Sequence, residues 1–161
     1  MATEETAGAE VLRELLERIA GALDLETDVV ITEDEERVTG TLTGDDMGLF
    51  IGRHGQTIEA VQHLAQRVVG EKDGPSVRRR VVVDAAGYRE RREAVLQRQA
   101  EEAAESVLES GRPVALDAMT SSERRVVHEY LRDRGDVETH SEGNEPDRHL
   151  VVSPKSGDAV E

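Results

Sequence analysis

Ile51-Gly52-Arg53-His54-Gly55-Gln56-Thr57-Ile58 constrains this chain more than any other stretch. It stands between two short segments of helical apolar periodicity, Asp46 to Ile51 and Thr57 to Val69, so two glycines bracket a basic pair in a helix-to-helix turn. Glycine at both ends lets a phosphate backbone come close, and Arg53 and His54 carry or can acquire positive charge. The amides opening the second helix point into the same space, where an anion is favoured by roughly 0.3–1 kcal/mol. Such a loop can clamp a nucleic-acid backbone. An ordinary C-cap and tight turn has the same spacing, and that reading stays open until the neighbours are read.

Upstream, Val11, Leu12, Leu15, Leu16, Ile19, Ala20 and Leu23 form one stripe of a helix over Glu10 to Leu23, with Glu10, Glu14 and Glu17 opposite. That polar face is acidic where a membrane-surface helix would be basic, so the stripe is expected to pack on a sheet. Asp28 to Thr32 and Arg37 to Thr43 read as strands around the polar turn Glu33-Asp34-Glu35-Glu36. A short helix then starts near Gly44-Asp45, with Asp45 as its N-cap, and hands over through the glycine turn to a helix with Ile58, Val61, Leu64, Ala65 and Val68 inward. Gly70 to Ser76 reads as a loop, and Arg80 to Asp84 as a buried strand from its β-branched run. The order α-β-β-α-α-β, with a GxxG turn between the paired helices, is that of a type II KH domain, whose GxxG loop holds the nucleic-acid backbone.

Arg78-Arg79-Arg80, entering the last strand, is the densest basic cluster; it reads equally as a phosphate contact and as a solvated strand edge. Tyr88 to Ser110 is a long Arg- and Glu-rich helix ended by Gly111 and Pro113, expected to join two domains. Thr120-Ser121-Ser122-Glu123 is a capping box opening a helix to about Arg134. On it Arg124 and His128, at i and i+4, share a face, while Val126, Val127, Tyr130 and Leu131 supply the buried side. Val137 to Ser141 and Arg148 to Val152 read as strands, and nothing after Pro154 suggests order.

The formal charge of −15 argues at first against a nucleic-acid partner. Its distribution changes that: residues 1–36 carry −10, 37–85 carry +1, 86–135 carry −1 and 136–161 carry −5. With a Debye length of about 8 Å, remote exposed acids are largely screened from a local basic loop. There are no cysteines, hence no disulfides or thiolate metal sites. No apolar run approaches the ~18 residues of a membrane span, and the acidic start is wrong for a signal peptide, so a cytoplasmic protein without membrane insertion is expected. His54, His63, His128, His140 and His149 show no HExxH-like spacing, and neither a Walker loop nor a nucleophile elbow occurs, so catalysis, cofactor and metal are not expected. The only aromatics, Phe50, Tyr88 and Tyr130, are too few for an RRM-like stacking platform, whereas a KH groove has an aliphatic floor.

Glu123-Arg124-Arg125-Val126-Val127-His128-Glu129, with Ser141-Glu142-Gly143-Asn144-Glu145-Pro146-Asp147-Arg148 ahead of an apolar strand, resembles the single-stranded nucleic-acid-binding domain named for an Arg and a His with three residues between them. Taken with Gly48 to Thr57 and Asp84 to Arg92, the chain resembles the bacterial Jag (SpoIIIJ-associated, KhpB) family from its first helix to Pro154. The resemblance implies an α+β chain: a disordered tail at 1–8, a type II KH domain at 9–86, an R-x-x-x-H domain at 87–154, and a disordered tail at 155–161. It implies a non-catalytic, cytoplasmic single-stranded RNA-binding protein acting after transcription, tied in several bacteria to cell elongation and division, often partnered by a small single-KH protein, KhpA. Single-stranded DNA is open for the second domain, as is a homodimer. Many members carry a further N-terminal Jag-N domain, which this chain is expected to lack. Carried over, Gly52, Arg53, His54 and Gly55 would hold the backbone, Ile51 and Ile58 would floor the base groove, and Arg124, His128 and Arg148 would form a second phosphate-contacting surface. The rival reading is a KH-fold interaction adaptor with little or no RNA binding, which the acidic surface favours.

Overall fold

The computed structural model describes residues 5–156. The chain divides into two compact units, with the boundary after Arg89.

In the first unit the order is α1 (Ala7–Ala22), β1 (Asp28–Glu33), β2 (Arg37–Thr43), α2 (Gly48–Ile51), a single 3-10 turn at Arg53–Gly55, α3 (Gln56–Asp73) and β3 (Arg80–Ala85). This is the α-β-β-α-α-β order expected from the sequence. β1 pairs antiparallel with β2, and β2 pairs parallel with β3, giving the sheet order β1-β2-β3. Strand alternation turns Val38 and Leu42 of β2 and Val81, Val83 and Ala85 of β3 into the core, against Leu12 and Leu16 of α1 and Phe50, Ile58, Ala65 and Val69 of α2 and α3. The continuous valine run of β3 suggested a strand buried throughout, but its burial alternates, because helices cover one face and Val82 lies on the other. Gly40 lies where α1 crosses the sheet. A methyl added there would overlap Leu16 Cδ1 and stand 3.2 Å from Leu12 Cδ2, so the missing side chain sets how close helix and sheet approach.

Several local expectations need correction. Helix α1 starts at Ala7 with Thr6 as its N-cap, so Ala7 and Gly8 are helical and not tail; residues 1–4 of that expected tail lie outside the described residues. Asp45 does not cap α2. That single turn follows Met47, whose side chain is buried in the core, and the nearest carboxylate, that of Asp46, accepts from the Gly48 amide at 3.4 Å. Helix α3 runs through Gly70 to Asp73 and stops at Gly74, whose φ of 85° ends it. Of the basic triplet, Arg78 and Arg80 are exposed, but Arg79 is neither a phosphate contact nor a solvated edge. Its guanidinium bonds both carboxylate oxygens of Asp73, Glu33 at 2.6 Å and Thr6 Oγ1 at 2.8 Å, with its side chain 7 % exposed. Three carboxylate and hydroxyl partners at that depth leave it no room to serve a ligand.

Helix α4 (Tyr88–Ser110) begins two residues before the boundary, and in the second unit it is followed by β4 (Val114–Ala115), α5 (Ser121–Arg132), β5 (Val137–Glu142) and β6 (His149–Pro154). The sheet order is β4-β6-β5, antiparallel throughout. The core sets Leu96, Ala100, Ala104 and Val107 of α4 against Val127 and Leu131 of α5 and Leu150 and Val152 of β6. The Thr120 capping box is present: Thr120 Oγ1 accepts from the Glu123 amide, and Glu123 Oε2 accepts from the Thr120 amide at 3.0 Å. Strand β4 was not expected, since two residues after a proline carry no periodicity. Tyr130, expected inside, is exposed, and Val126 is only half-buried, because the inward face of α5 centres on Glu123, Arg124, Val127 and Leu131. Helix α5 ends at Arg132, ahead of the Arg134 expected, and Arg148 precedes β6 without belonging to it. Lys155 and Ser156 have no regular structure, and 157–161 of the expected C-terminal tail lie outside the described residues.

Two expected outcomes follow from this packing. Gly40→Val should destabilise the chain by about 1–3 kcal/mol through overpacking between α1 and β2, read as a lower urea midpoint. Burial alone would raise the Glu33 carboxyl, but hydrogen bonds from Thr6 and Arg79 outweigh it and hold Glu33 below the usual carboxylate range. Its stabilising contribution is therefore complete above the unfolded-state value of about 4.3 and lost as pH falls through the lowered folded-state value. Arg79→Met should cost about 3–5 kcal/mol at neutral pH by stranding two carboxylates, and should flatten the loss of stability on acidification in calorimetry.

Candidate nucleic-acid interface

The glycine turn is built from backbone rules that allow little substitution. Gly52 ends α2, its amide donating to the Gly48 carbonyl at 2.8 Å, with φ 76° and ψ 174°. An L side chain rarely adopts that conformation, and a methyl at Gly52 would collide with Thr57 Oγ1. Gly55 is left-handed at φ 72° and buried, and a methyl there would fall 2.7 Å from the Tyr88 hydroxyl oxygen. Tyr88, at the start of α4, thus backs the turn. Between the glycines His54 also takes positive φ, 55°, so three of the four loop residues lie outside the ordinary helical and extended regions. The result is a turn in which a half-buried Gly52 and a buried Gly55 flank two exposed residues, Arg53 and His54.

No side chain caps the first turn of α3. The Gln56 amide that opens α3 donates to the Arg53 carbonyl, so the positive end of this 18-residue helix lies beside the two exposed side chains. Ile51 is half-buried against the core, so part of it can line a groove. Ile58, expected on the floor of the base groove, is 2 % exposed and part of the core, so it offers a base almost no surface. Leu49, 63 % exposed and one turn before Gly52, is the apolar side chain near the loop with most surface to offer. Sequence periodicity passed over it because a one-turn helix gives no stripe against which an outward leucine stands out.

In the second unit the two residues named for the motif behave differently. Arg124 is 9 % exposed; its Nη1 donates to the Met119 carbonyl at 2.8 Å and its Nη2 to Glu145 Oε1 at 2.8 Å. It therefore ties the start of α5 to the loop between β5 and β6. His128 is exposed, one turn on, with Nδ1 2.5 Å from Thr139 Oγ1 of β5. Arg148 donates to the Gly143 carbonyl at 2.8 Å across the same loop. Glu145, with a side chain 58 % exposed, is the partner that spacing could not supply, since it lies 21 residues from Arg124. Among the described residues no three or more His, Asp or Glu side chains are grouped to hold a metal ion, and no helix is long and apolar enough to cross a membrane.

Comparison with known proteins finds a match in each of the two units. Residues 9–82 match the KH domain of KhpA and KhpB, and residues 94–154 match the R-x-x-x-H domain. The RNA-binding protein KhpB of Clostridium symbiosum is 37 % identical over 144 residues, covering 88 % of this chain and 64 % of that protein. KhpB of Lactiplantibacillus plantarum is 38 % identical over 152 residues, 94 % of this chain and 46 % of that one. KhpB of Bacillus subtilis is 34 % identical over 142 residues, 87 % and 67 %. The chain thus spans about half to two thirds of the length of these relatives. With its KH match, its R-x-x-x-H match and these relatives in that order along one sequence, the chain belongs to the KhpB family.

Proposed function

We propose that this chain is a non-catalytic single-stranded RNA-binding protein that acts after transcription, gripping the sugar-phosphate backbone with Gly52, Arg53, His54 and Gly55. The observation that carries the reading is the loop itself. Two glycines that admit no side chain hold two exposed, positively chargeable groups beside the uncapped start of α3. Anion binding accounts for all of these features together. The name of the relatives, RNA-binding protein KhpB, supports RNA as the anion. Ile51, with Ile58 behind it, would wall the base groove of a type II KH domain. A small single-KH protein as partner, and a link to cell elongation and division, belong to the same reading.

Because the whole chain is strongly acidic, affinity depends on the loop and falls steeply when its charge is reversed. Replacing Arg53 and His54 together by Asp should abolish binding of a fluorescent single-stranded RNA in anisotropy titrations. Thermal stability should hardly change, because both side chains are exposed and Asp tolerates the positive φ of position 54 better than most residues. Binding that survives this change would return the loop to a plain turn.

The second surface consists of His128, Arg148 and the guanidinium of Arg124. On this reading Glu145 occupies the place that a phosphate takes on Arg124. Glu145→Ala should then tighten RNA binding and steepen the log–log salt dependence by about 0.7, one phosphate contact on a single strand. An unchanged slope would make Arg124 a positioning residue for the 142–147 loop.

A further inference from the structure

The two edges of the first sheet are finished in opposite ways. On β3 the outward backbone groups are taken by side chains of the same unit. Gln66 accepts from the Val81 amide at 3.0 Å and donates to the Arg79 carbonyl at 3.2 Å. Gln62 accepts from the Val83 amide at 2.7 Å and donates to the Val81 carbonyl, and Arg89 Nε donates to the Val83 carbonyl at 2.7 Å. The Ala85 amide donates to Asp84 Oδ1 at 2.9 Å. Two glutamines one helical turn apart thus serve as rungs of a substitute strand, and that edge is closed.

Among the described residues the β1 edge is open apart from one bond at Val29. Leu42 and Glu36 turn their carbonyls to β3, where they accept from Ala86 and Arg80 at 2.8 Å, so Arg37, Thr39, Thr41 and Thr43 bond to β1. Their partners in register are Asp28, Val30 and Thr32, which turns the backbone of Val29, Ile31 and Glu33 outward. Among the described residues that outward row receives one bond, from Arg13 Nη1 to the Val29 carbonyl at 2.9 Å. Val30, at the strand's centre, is 51 % exposed, and Val29 and Ile31 are only half-buried.

Apart from Arg13, itself paired with Glu5, the surroundings of that edge are acidic. Residues 24–36 hold seven carboxylates, Asp24, Glu26, Asp28, Glu33, Asp34, Glu35 and Glu36, and no Lys, Arg or His. Glu33 is satisfied by Arg79 and Asp34 by the amides of its own turn, which leaves acids at both ends of an apolar centre. Antiparallel pairing of β1 with a second copy would set the acids before one strand against those after the other, and like charges opposed across a sheet are destabilising.

We propose that the β1 edge is a docking site for an extended protein segment with a short aliphatic centre and Lys or Arg on both sides, which adds to the sheet as a fourth strand. Main-chain bonds to Ile31 and Glu33 supply the pairing, Val30 meets the aliphatic centre, and the flanking acids choose a basic partner over a second copy. Gln62 and Gln66 direct it to this edge by closing the other.

The probe is the fluorescent peptide Lys-Lys-Val-Thr-Val-Thr-Lys-Lys, titrated into the whole chain, with hydrogen exchange followed by NMR. The Ile31 and Glu33 amides should exchange at least about tenfold more slowly with peptide bound. The double variant Val30→Lys, Asp28→Lys, altered only at exposed positions, should weaken binding at least about tenfold with the same melting temperature. Equal binding by the peptide carrying alternate N-methyl amides would overturn the proposal, since charge alone would then account for it. So would unprotected Ile31 and Glu33 amides. Protection that grows with protein concentration in the absence of peptide would also overturn it, by making a second copy the occupant.

Discussion

One guanidinium fastens the first unit at four points. Arg79 binds the capping hydroxyl of α1, the last residue of β1, the last residue of α3, and stands itself one residue before β3. The group carries its charge at 7 % exposure, where solvation is largely lost, so its value lies less in net stability than in register. Loss of the Arg79 contacts would leave a buried cation and the carboxylates of Asp73 and Glu33 without their charged partner. With that corner fixed, α3 has a fixed end and β3 a fixed start, and Gln62 and Gln66 of α3 meet the outward groups of β3 in register. At its other end α3 presents the glycine turn, backed by Tyr88 just after β3.

The electrostatics divide along the same axis. Acids dominate the neighbourhood of β1, while the glycine turn shows Arg53 and His54 and no carboxylate between its helices from Gly48 to Ile58. At physiological salt the screening length is about 8 Å, so a single domain can present an acidic strand edge and a cationic loop as separate surfaces. A chain of net charge −15 can therefore keep a local cationic turn of the kind proposed to hold RNA, although its net charge repels nucleic acid at long range.

Much of this was legible in the sequence. Two-residue periodicity located β2, the capping box located the start of α5, and Gly111 with Pro113 ended α4 where the chain turns. The glycine turn was legible because positive φ leaves a compositional mark. What failed was whatever depended on partners distant in sequence. Arg79 looked like its two neighbours, and nothing local separates a buried arginine from an exposed one in a row of three. Arg124 and His128 looked equivalent at i and i+4, yet one is buried on Met119 and Glu145 and the other is exposed beside Thr139.

The sequence by itself determined the order of the helices and of every strand but β4, the place of the Gly52–Gly55 turn, and the side of β2 that faces the helices, because these follow from steric limits and periodicity within a few residues. Only the tertiary structure decided which charges are paired inside the protein and which face solvent. It also decided which edge of the sheet is closed. Those outcomes depend in part on groups far apart in sequence, such as Gln66 with Val81, 15 residues apart, and Arg79 with Glu33, 46 apart, meeting at hydrogen-bond distance, and no local pattern encodes that meeting.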